Sequence, residues 1–190
     1  LHMIFHNSLT IAQGTDASTL DPYAHSEVTT ANILLQIYDS LVRRNENMEI
    51  EPWLASNWKI ISDKKVQFGL KKNIKFHNGE VFDAKAVKFS LERMADPKRE
   101  PKFPPYGRFA SIDKVDIIDN YTVVVNTSRP DPCLLSQLTG LMIIPSQYFE
   151  EVGEEVFGAN PCGTGPFIFE NWDRDKGVVN LRCNDNYWKK

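Results

Sequence analysis

The side chains that could do chemistry are few, and the most suggestive is a histidine that is followed closely by an aspartate. His77 precedes the turn signal Asn78-Gly79, and Asp83 lies six residues after the histidine. A histidine in contact with a carboxylate can transfer a proton, so this pair could serve a hydrolase. A histidine beside a turn more often makes a structural hydrogen bond, and we favour that role for His77.

The cysteines form no recognisable metal or redox motif. Cys133, Cys162 and Cys183 are odd in number, and no two of them have the Cys-x-x-Cys spacing of a zinc or redox site. A structural zinc site needs about four ligands, and the four histidines are not clustered near these cysteines. We expect buried or partly buried free thiols, with one disulfide as the alternative in a secreted protein.

No other stretch carries a catalytic motif. The sequence has no Ser/His/Asp arrangement, no Gly-x-Ser-x-Gly elbow and no His-Glu-x-x-His pattern. The stretch from Gly163 to Pro166 is rich in glycine but lacks the Lys-Ser/Thr pair of a phosphate-binding loop. We interpret it as a tight crossing of the chain, and we expect no enzyme, no metal site and no cofactor.

Composition places the chain among ordinary globular proteins. It has 190 residues, of which 42% are hydrophobic and 25% charged, enough for one substantial core or two small ones. The net charge is -3 and the basic residues are scattered, which argues against nucleic acid as a partner. No apolar run is long enough to span a bilayer.

Hydrophobic periodicity predicts a mixed α/β chain that positions these residues. Asp83 is expected to cap a helix that Pro97 ends. Loops or polar connections are predicted over 14–25, 43–51 and, as an exposed excursion, 96–106. The other predicted helices lie at 27–41, 134–138 and 146–156, and the predicted strands at 8–13, 65–76, 112–118, 121–126, 142–144, 167–172 and 178–182.

An ordered set of motifs carries a resemblance to a known family. Residues 52–58 read Pro-Trp-Leu-Ala-Ser-Asn-Trp, residues 68–71 Phe-Gly-Leu-Lys, and residues 75–79 Lys-Phe-His-Asn-Gly; Ala84, Val87, Ser90 and Arg93 follow at helical spacing. The crossing at 162–167 and Asn184 to Trp188 come in the same order. This set resembles the signature of the family 5 extracellular solute-binding proteins. Lys71 stands where the family usually has Arg, and Asn78 where it has Asp.

The resemblance implies a periplasmic-binding-protein-like architecture of two lobes that close on a ligand. Residues 1–38 would begin the first lobe, 39–159 would form a small second lobe, and 160–190 would return to the first. Trp53, Trp58, Phe68 and Phe76 would be core of the second lobe. Family members are much longer, so we expect an N-terminal piece that carries part of the cleft.

The resemblance also implies a role and a location. Family members capture solutes, most commonly oligopeptides or dipeptides, and deliver them to the membrane permease subunits of an ABC importer. The expected location is the periplasm or the outer face of the cytoplasmic membrane. A solute-sensing domain of a regulatory protein is the alternative, and a hydrolase that uses His77 and Asp83 is a weaker one.

Seven residues are the candidates for contact with the solute. The loop after Pro22 lies where relatives present groups to the ligand; Glu27 could meet an amine, and His25 a carboxylate or a metal. Glu27 could equally just favour the first turn of the helix through the helix dipole. One imidazole is not a metal site. The candidates are Tyr23, His25, Ser26 and Glu27 in this loop, and Thr139, Gly140 and Met142 at the start of a strand expected to line the cleft.

Overall fold

The structure is a computed structural model that describes residues 9–98 and 106–189. Groups of strands and helices follow one another along the chain, which makes it a mixed α/β protein, as predicted. The helices are α1 Val28–Ile37, α2 Ala84–Ala95, α3 Tyr106–Phe109, α4 Leu134–Leu138 and α5 Ser146–Ala159; the strands are β1 Val42–Arg44, β2 Ile50–Pro52, β3 Ala55–Ser62, β4 Lys65–Leu70, β5 Ile112–Asp119, β6 Thr122–Thr127, β7 Phe167–Asp173 and β8 Val178–Cys183.

The largest sheet has four antiparallel strands in the order β3-β4-β6-β5. Side chains of β4 alternate, so that Val66, Phe68 and Leu70 are buried. Their partners on β6 include Val123, opposite Phe68, and Val125, opposite Val66. The predicted hairpin around Asp119-Asn120 is confirmed as β5 and β6.

Helix α2 packs on β5 and β6 and covers the inner face of this sheet. The predicted cap is confirmed, because Asp83 Oδ1 accepts hydrogen bonds from the backbone of Lys85 at 2.8 Å and Ala86 at 3.2 Å. Val87 and Leu91 are fully buried. The helix therefore has a fixed start and a fixed face, which sets the direction of the polar residues on its other turns.

Two smaller hairpins complete the described strands. The stretch 43–51, expected to be only a polar connection, contributes to the hairpin β1–β2, whose turn Asn45 stabilises through Oδ1 contacts of 2.9 Å with the backbone N–H groups of Asn47 and Glu49. Strands of three residues carry too little alternation to be recognised. Hairpin β7–β8 lies where predicted and packs against α1.

Other predicted boundaries are wrong for two reasons. Helix α1 ends at Ile37 rather than near Leu41, since Tyr38 is extended at φ -117° and ψ 156°. Strand β4 ends at Leu70 rather than at residue 76, strand β3 was not anticipated, and Met142 makes only a single bridge with Ser40. Apolar residues such as Tyr38, Ile74, Phe76 and Ile143 are buried outside regular elements, whereas β3 is mostly exposed and shows no apolar alternation.

Two predicted segments include residues that the structure does not describe. Residues 9–13 lie in no strand, against the prediction for 8–13, and Ser8 is outside the described residues. The predicted excursion over 96–106 also falls largely outside them. All three cysteines are free thiols; Cys162 is buried as expected, which raises its pKa to about 11, whereas Cys133 and Cys183 are exposed.

Candidate functional site

The loop that follows Pro22 stands on a buried ion pair. Arg93 on α2 places Nη2 2.8 Å from Asp21 Oδ2 and Nη1 3.5 Å from Asp21 Oδ1, and the two side chains are 5% and 1% exposed. Asp21 Oδ1 also accepts the backbone N–H of Tyr23 at 2.9 Å. A buried charge whose partner is removed is strongly destabilising, so this pair fixes where the loop begins.

Tyr23 joins the two groups of candidate residues. Its hydroxyl donates a 2.7 Å hydrogen bond to the carbonyl oxygen of Met142, and burial raises the pKa of that hydroxyl. The Arg93 guanidinium lies 5.0 Å from the centre of the Tyr23 ring. Both Tyr23 and Met142 are buried. They therefore position the loop and the 139–142 segment against each other.

Ser90 on α2 holds the chain just after the 139–142 segment. The Ser90 hydroxyl accepts the backbone N–H of Ile144 at 3.0 Å and lies 3.5 Å from its carbonyl oxygen. Ser90 is fully buried. Two polar residues at helical spacing, Ser90 and Arg93, thus hold both halves of the candidate site, which explains why a signature helix carries them.

The tip of the loop, His25 to Glu27, is less completely bonded. His25 Nδ1 lies 3.8 Å from Glu27 Oε2 and has no hydrogen-bond partner of ordinary geometry among the described residues, although the side chain is only 9% exposed. Burial lowers the pKa of His25. Glu27 Oε2 accepts Ser18 Oγ at 3.2 Å and the backbone N–H of Ser26 at 3.3 Å.

Glu27 stands at the start of α1 without capping it through its side chain. Hydrogen bonds from backbone N–H groups, its own first, lower the pKa of Glu27. Ser26 and Glu27 are exposed. The tip therefore presents a carboxylate and a hydroxyl, with the largely buried imidazole of His25 beside them, a set that can hydrogen-bond an ammonium or an amide group.

The second group of candidates is partly used by the fold. Thr139 is half-buried, and its hydroxyl donates a 2.7 Å hydrogen bond to the carbonyl oxygen of Ser136. Gly140 is exposed, and a Cβ added to it would lie 3.5 Å from Arg108 Nη1. Of this group, the structure leaves Gly140 open to solvent, and Met142 supplies the carbonyl that receives Tyr23.

The glycine stretch is a close crossing of two backbones. Residues 37–39, which we call the outgoing crossing, run beside residues 163–165, the return crossing, and Gly165 N–H donates to Ile37 O at 2.8 Å. A Cβ on Gly163 would lie 2.1 Å from Ile37 O, and one on Gly165 2.6 Å from the Ile37 carbonyl carbon. Only glycine fits at either position, which confirms the interpretation as a tight crossing.

His77 binds this return crossing and does not contact Asp83 as an acid–base partner. Its backbone N–H donates to Gly163 O at 2.8 Å, its Nδ1 faces the Gly163 N–H at 3.4 Å, and its Nε2 lies 3.0 Å from Gly165 O. Burial lowers the pKa of His77. The structural role predicted for it is confirmed, while Asp83 serves as the cap of α2.

Sequence reasoning missed the most connected polar group in the described chain. The buried carboxylate of Asp39 accepts hydrogen bonds from Trp53, Thr164, Tyr187 and Trp188. Two indoles in the signature segments were a usable signal, because a buried indole N–H needs an acceptor. Nothing local in the sequence identifies Asp39 as that acceptor.

Two absences are confined to the residues that the structure describes. No helix in 9–98 or 106–189 is long and apolar enough to cross a membrane. Within the same ranges, no three His, Cys, Asp or Glu side chains are grouped closely enough to hold a metal ion.

Comparison with known proteins identifies relatives over most of the chain. The model of the family "Bacterial extracellular solute-binding proteins, family 5 Middle" matches residues 49–190. The glutathione-binding protein GsiB of Pectobacterium atrosepticum is 31% identical over 183 residues, which are 94% of this chain and 35% of that protein.

Solved structures give the same result. NikZ from Campylobacter jejuni in complex with Ni(L-His) is 29% identical, with a TM-score of 0.82 over 93% of this chain and 35% of that one. A dipeptide-binding protein from Pseudoalteromonas in complex with Met-Leu is 25% identical, with a TM-score of 0.85 over 93% of this chain and 39% of that one.

The chain thus spans little more than a third of the length of these relatives. The family match covers more than half of the chain and includes the signature segments at the base of the candidate site. The chain belongs to the family 5 bacterial extracellular solute-binding proteins.

Proposed function

We propose that this chain is part of a protein that captures a small peptide-like solute and delivers it to the permease subunits of an ABC importer. The observation that carries the proposal is the loop tip at His25 to Glu27, which is incompletely bonded although its base is fixed by the Asp21–Arg93 pair. Groups that bind a solute must be held in place and yet keep free hydrogen-bonding capacity.

The solute class follows from the chemistry at the tip. Glu27 is an exposed carboxylate beside Ser26, and together they suit an ammonium or an amide N–H. Relatives are named for binding glutathione or are seen with the dipeptide Met-Leu, and both solutes carry such groups. We propose an oligopeptide, a dipeptide or a glutathione-like peptide, captured in the periplasm or at the outer face of the cytoplasmic membrane.

The candidate residues divide between direct contact and support in this proposal. Ser26, Glu27, Gly140 and the edge of His25 face the solute, whereas the buried residues Tyr23 and Met142 and the hydroxyl of Thr139 hold the walls. The imidazole of His25 is too little to bind a metal on its own.

We also propose the lobe assignment 1–38 and 160–190 for the first lobe and 39–159 for the second. Contacts between α1 and β7 support it, as do the 3.1 and 3.2 Å hydrogen bonds from Trp172 Nε1 to the carboxylate of Asp16. The chain leaves the first lobe and returns to it at adjacent points, since Ile37 O accepts the Gly165 N–H.

Calorimetry on the 190-residue chain tests the function. Glutathione, Met-Leu and Ni(L-His) are titrated separately, and we expect weak binding of a peptide solute, with a dissociation constant above about 10 μM, because one wall of a cleft desolvates only part of a ligand. Glu27→Gln should weaken it about tenfold, whereas the matched control Glu170→Gln should not, since Glu170 and Glu27 are 47% and 48% exposed.

Three results contradict parts of the proposal. Equal affinities of wild type and Glu27→Gln would remove the loop tip from the site. Absence of heat with both glutathione and Met-Leu at about 10 mM would exclude small peptides as the solute class, because that concentration is far above the dissociation constants that matter for capture. Tight, submicromolar binding would contradict the assignment of this chain to one wall of the cleft.

A further inference from the structure

We propose that Asp39 is a positioning residue for solute capture, because its carboxylate holds the outgoing crossing, the return crossing and both ends of hairpin β7–β8 together. The proposal rests on the function proposed above. The donors to its carboxylate include no candidate for the solute site, and its backbone carbonyl oxygen accepts the Ile143 N–H at 2.9 Å.

Four donors converge on this one side chain. Asp39 Oδ1 accepts Trp53 Nε1 at 2.7 Å and the Tyr187 hydroxyl at 3.2 Å. Asp39 Oδ2 accepts Thr164 Oγ1 at 2.8 Å and Trp188 Nε1 at 3.0 Å. We call these five residues the Asp39 cluster. Asp39 itself is buried, so its charge depends on these donors rather than on water.

The distribution of the indoles makes a carboxylate obligatory. Trp53 donates to one oxygen of Asp39 and Trp188 to the other. An indole N–H can only donate, whereas a hydroxyl can turn round and accept. An asparagine amide would therefore set its NH₂ group against an indole N–H in either orientation of the amide. Asparagine, although it has the shape of aspartate, cannot replace Asp39.

Positive charges surround the cluster without entering it. The Arg43 guanidinium lies 3.4 Å from the centre of the Trp53 ring, Lys189 Nζ lies 4.2 Å from the same ring, and Lys71 Nζ lies 4.3 Å from the Trp188 ring. Cations over indole faces are attracted to the ring quadrupole. Burial, followed by the charges of Lys189 and Arg43, lowers the pKa of Lys71. The cations therefore lie on the Trp53 and Trp188 rings, whose N–H groups bond the buried Asp39 carboxylate.

Three of the four donors to Asp39 come from the two ends of hairpin β7–β8. Thr164 comes just before β7, whereas Tyr187 and Trp188 come just after β8, so the carboxylate holds the hairpin at both ends. Asp39 belongs to the outgoing crossing, which runs beside Gly163 and Gly165. Asp39 thereby fixes the angle at which the two parts of the chain meet, and with it the walls on either side of a captured solute.

The cluster itself is tested by the indole N–H signals of ¹⁵N-labelled chain in nuclear magnetic resonance. In Asp39→Asn we expect the signals of Trp53 and Trp188 to shift and to exchange with solvent about tenfold faster or more. Trp58 serves as an internal reference. Asp16→Asn is the matched control, because it removes a carboxylate from another indole, that of Trp172. Unchanged Trp53 and Trp188 signals in Asp39→Asn would overturn the proposal.

The positioning role is tested by titration with glutathione. Asp39→Asn should weaken binding about tenfold, although none of the donors to the Asp39 carboxylate is a candidate solute residue. Val115→Ala in the buried part of β5 is the control for lost stability, and it should keep the wild-type affinity. Equal losses of affinity in both variants would reduce Asp39 to a stability residue and overturn the positioning role.

A milder variant covers the case in which Asp39→Asn does not fold. Thr164→Val removes one neutral donor and leaves both indoles bonded, so we expect unchanged indole signals, faster amide exchange at Gly163 and Gly165, and a smaller loss of glutathione affinity. Unchanged exchange and affinity in Thr164→Val would overturn the proposal. If the wild-type chain itself shows no heat with glutathione, glutathione is excluded as the solute. The exchange rates of the indole N–H groups then decide whether Asp39 holds the cluster together.

Discussion

The return crossing and the loop tip treat their polar groups in opposite ways. At residues 163–165, the backbone and side-chain groups are bonded to Ile37, His77 and Asp39. At the loop tip, His25 Nδ1 has no partner of ordinary geometry among the described residues, and Ser26 and Glu27 are exposed. An unmet buried polar group costs stability, and at the tip it lies beside two exposed polar residues that a ligand could reach.

This difference separates what holds the molecule together from what is available to a ligand. The crossing joins distant parts of the chain, and its glycines leave no room even for a methyl group. Within the described chain, the tip bonds only nearby residues such as Ser18, whereas its base at Asp21 is held by the buried ion pair with Arg93. Five substitutions test where the boundary between the two regions lies.

The largest effect is expected at the base of the loop. Arg93→Met keeps much of the side-chain volume but leaves the Asp21 carboxylate buried without its ion pair, and should lower the free energy of unfolding by about 3–5 kcal/mol. Urea denaturation measures it. The exposed pair Lys176–Asp173 is the control, and Lys176→Met should cost less than about 0.5 kcal/mol. A small loss of unfolding free energy in Arg93→Met would mean that the base of the loop is no more firmly held than its tip.

A loss of about 3 kcal/mol is expected for Gly163→Ala, because the new Cβ meets a backbone oxygen that cannot move aside alone. Gly14→Ala adds a methyl group where nothing lies within 4 Å and should be close to neutral. Thermal unfolding followed by circular dichroism compares the two. Equal melting temperatures of Gly163→Ala and Gly14→Ala would mean that the crossing can accommodate a methyl group, against the distances described above.

Acid should weaken the crossing through His77. Burial lowers the pKa of this histidine in the folded chain, so the unfolded chain binds more protons, and the stability is lost as the pH falls from 6.5, the ordinary value, towards the lower pKa of the folded chain. Protonated Nδ1 can no longer face the Gly163 N–H. His77→Gln should show a shallower fall in unfolding free energy between pH 7.5 and 5.

His25 adds a contribution of the same sign, since burial lowers its pKa as well. His25→Gln measured over the same pH range separates the two histidines. If His77→Gln retained the full wild-type slope, the clamp on the crossing would not depend on the neutral imidazole of His77.

The smallest effect on stability is expected at the tip itself. Ser26→Ala removes an exposed hydroxyl whose loss leaves no buried group unpaired, so the unfolding free energy should change by less than about 0.5 kcal/mol. The same substitution should weaken binding of a peptide solute in calorimetry. A variant that lost stability but kept its affinity would reverse the roles of tip and crossing.

The residues that could be predicted are those whose reasons are local. The Asp83 cap, the Asn-Gly turn and the β5–β6 hairpin depend on neighbours a few residues away, and the structural role of His77 follows from its turn. The predicted loop over residues 14–25 lies outside any helix or strand, and α1 begins shortly after it at Val28.

What could not be predicted depends on partners far along the chain. Asp39 bonds Trp53, Thr164, Tyr187 and Trp188 across separations of 14, 125, 148 and 149 residues, which no periodicity reveals. The inward orientation of Tyr23 likewise depends on a carbonyl 119 residues away. Sequence patterns locate elements, whereas the satisfaction of buried polar groups requires the fold.

Amide hydrogen exchange of the 190-residue chain, measured residue by residue with and without glutathione, tests the contrast between crossing and tip most directly. We predict slow exchange at Gly165, fast exchange at Ser26 and Glu27 in the free chain, and slower exchange at the tip alone when the peptide is added. Equal protection of the two regions in the free chain, or a response to glutathione at the crossing and none at the tip, would contradict this account.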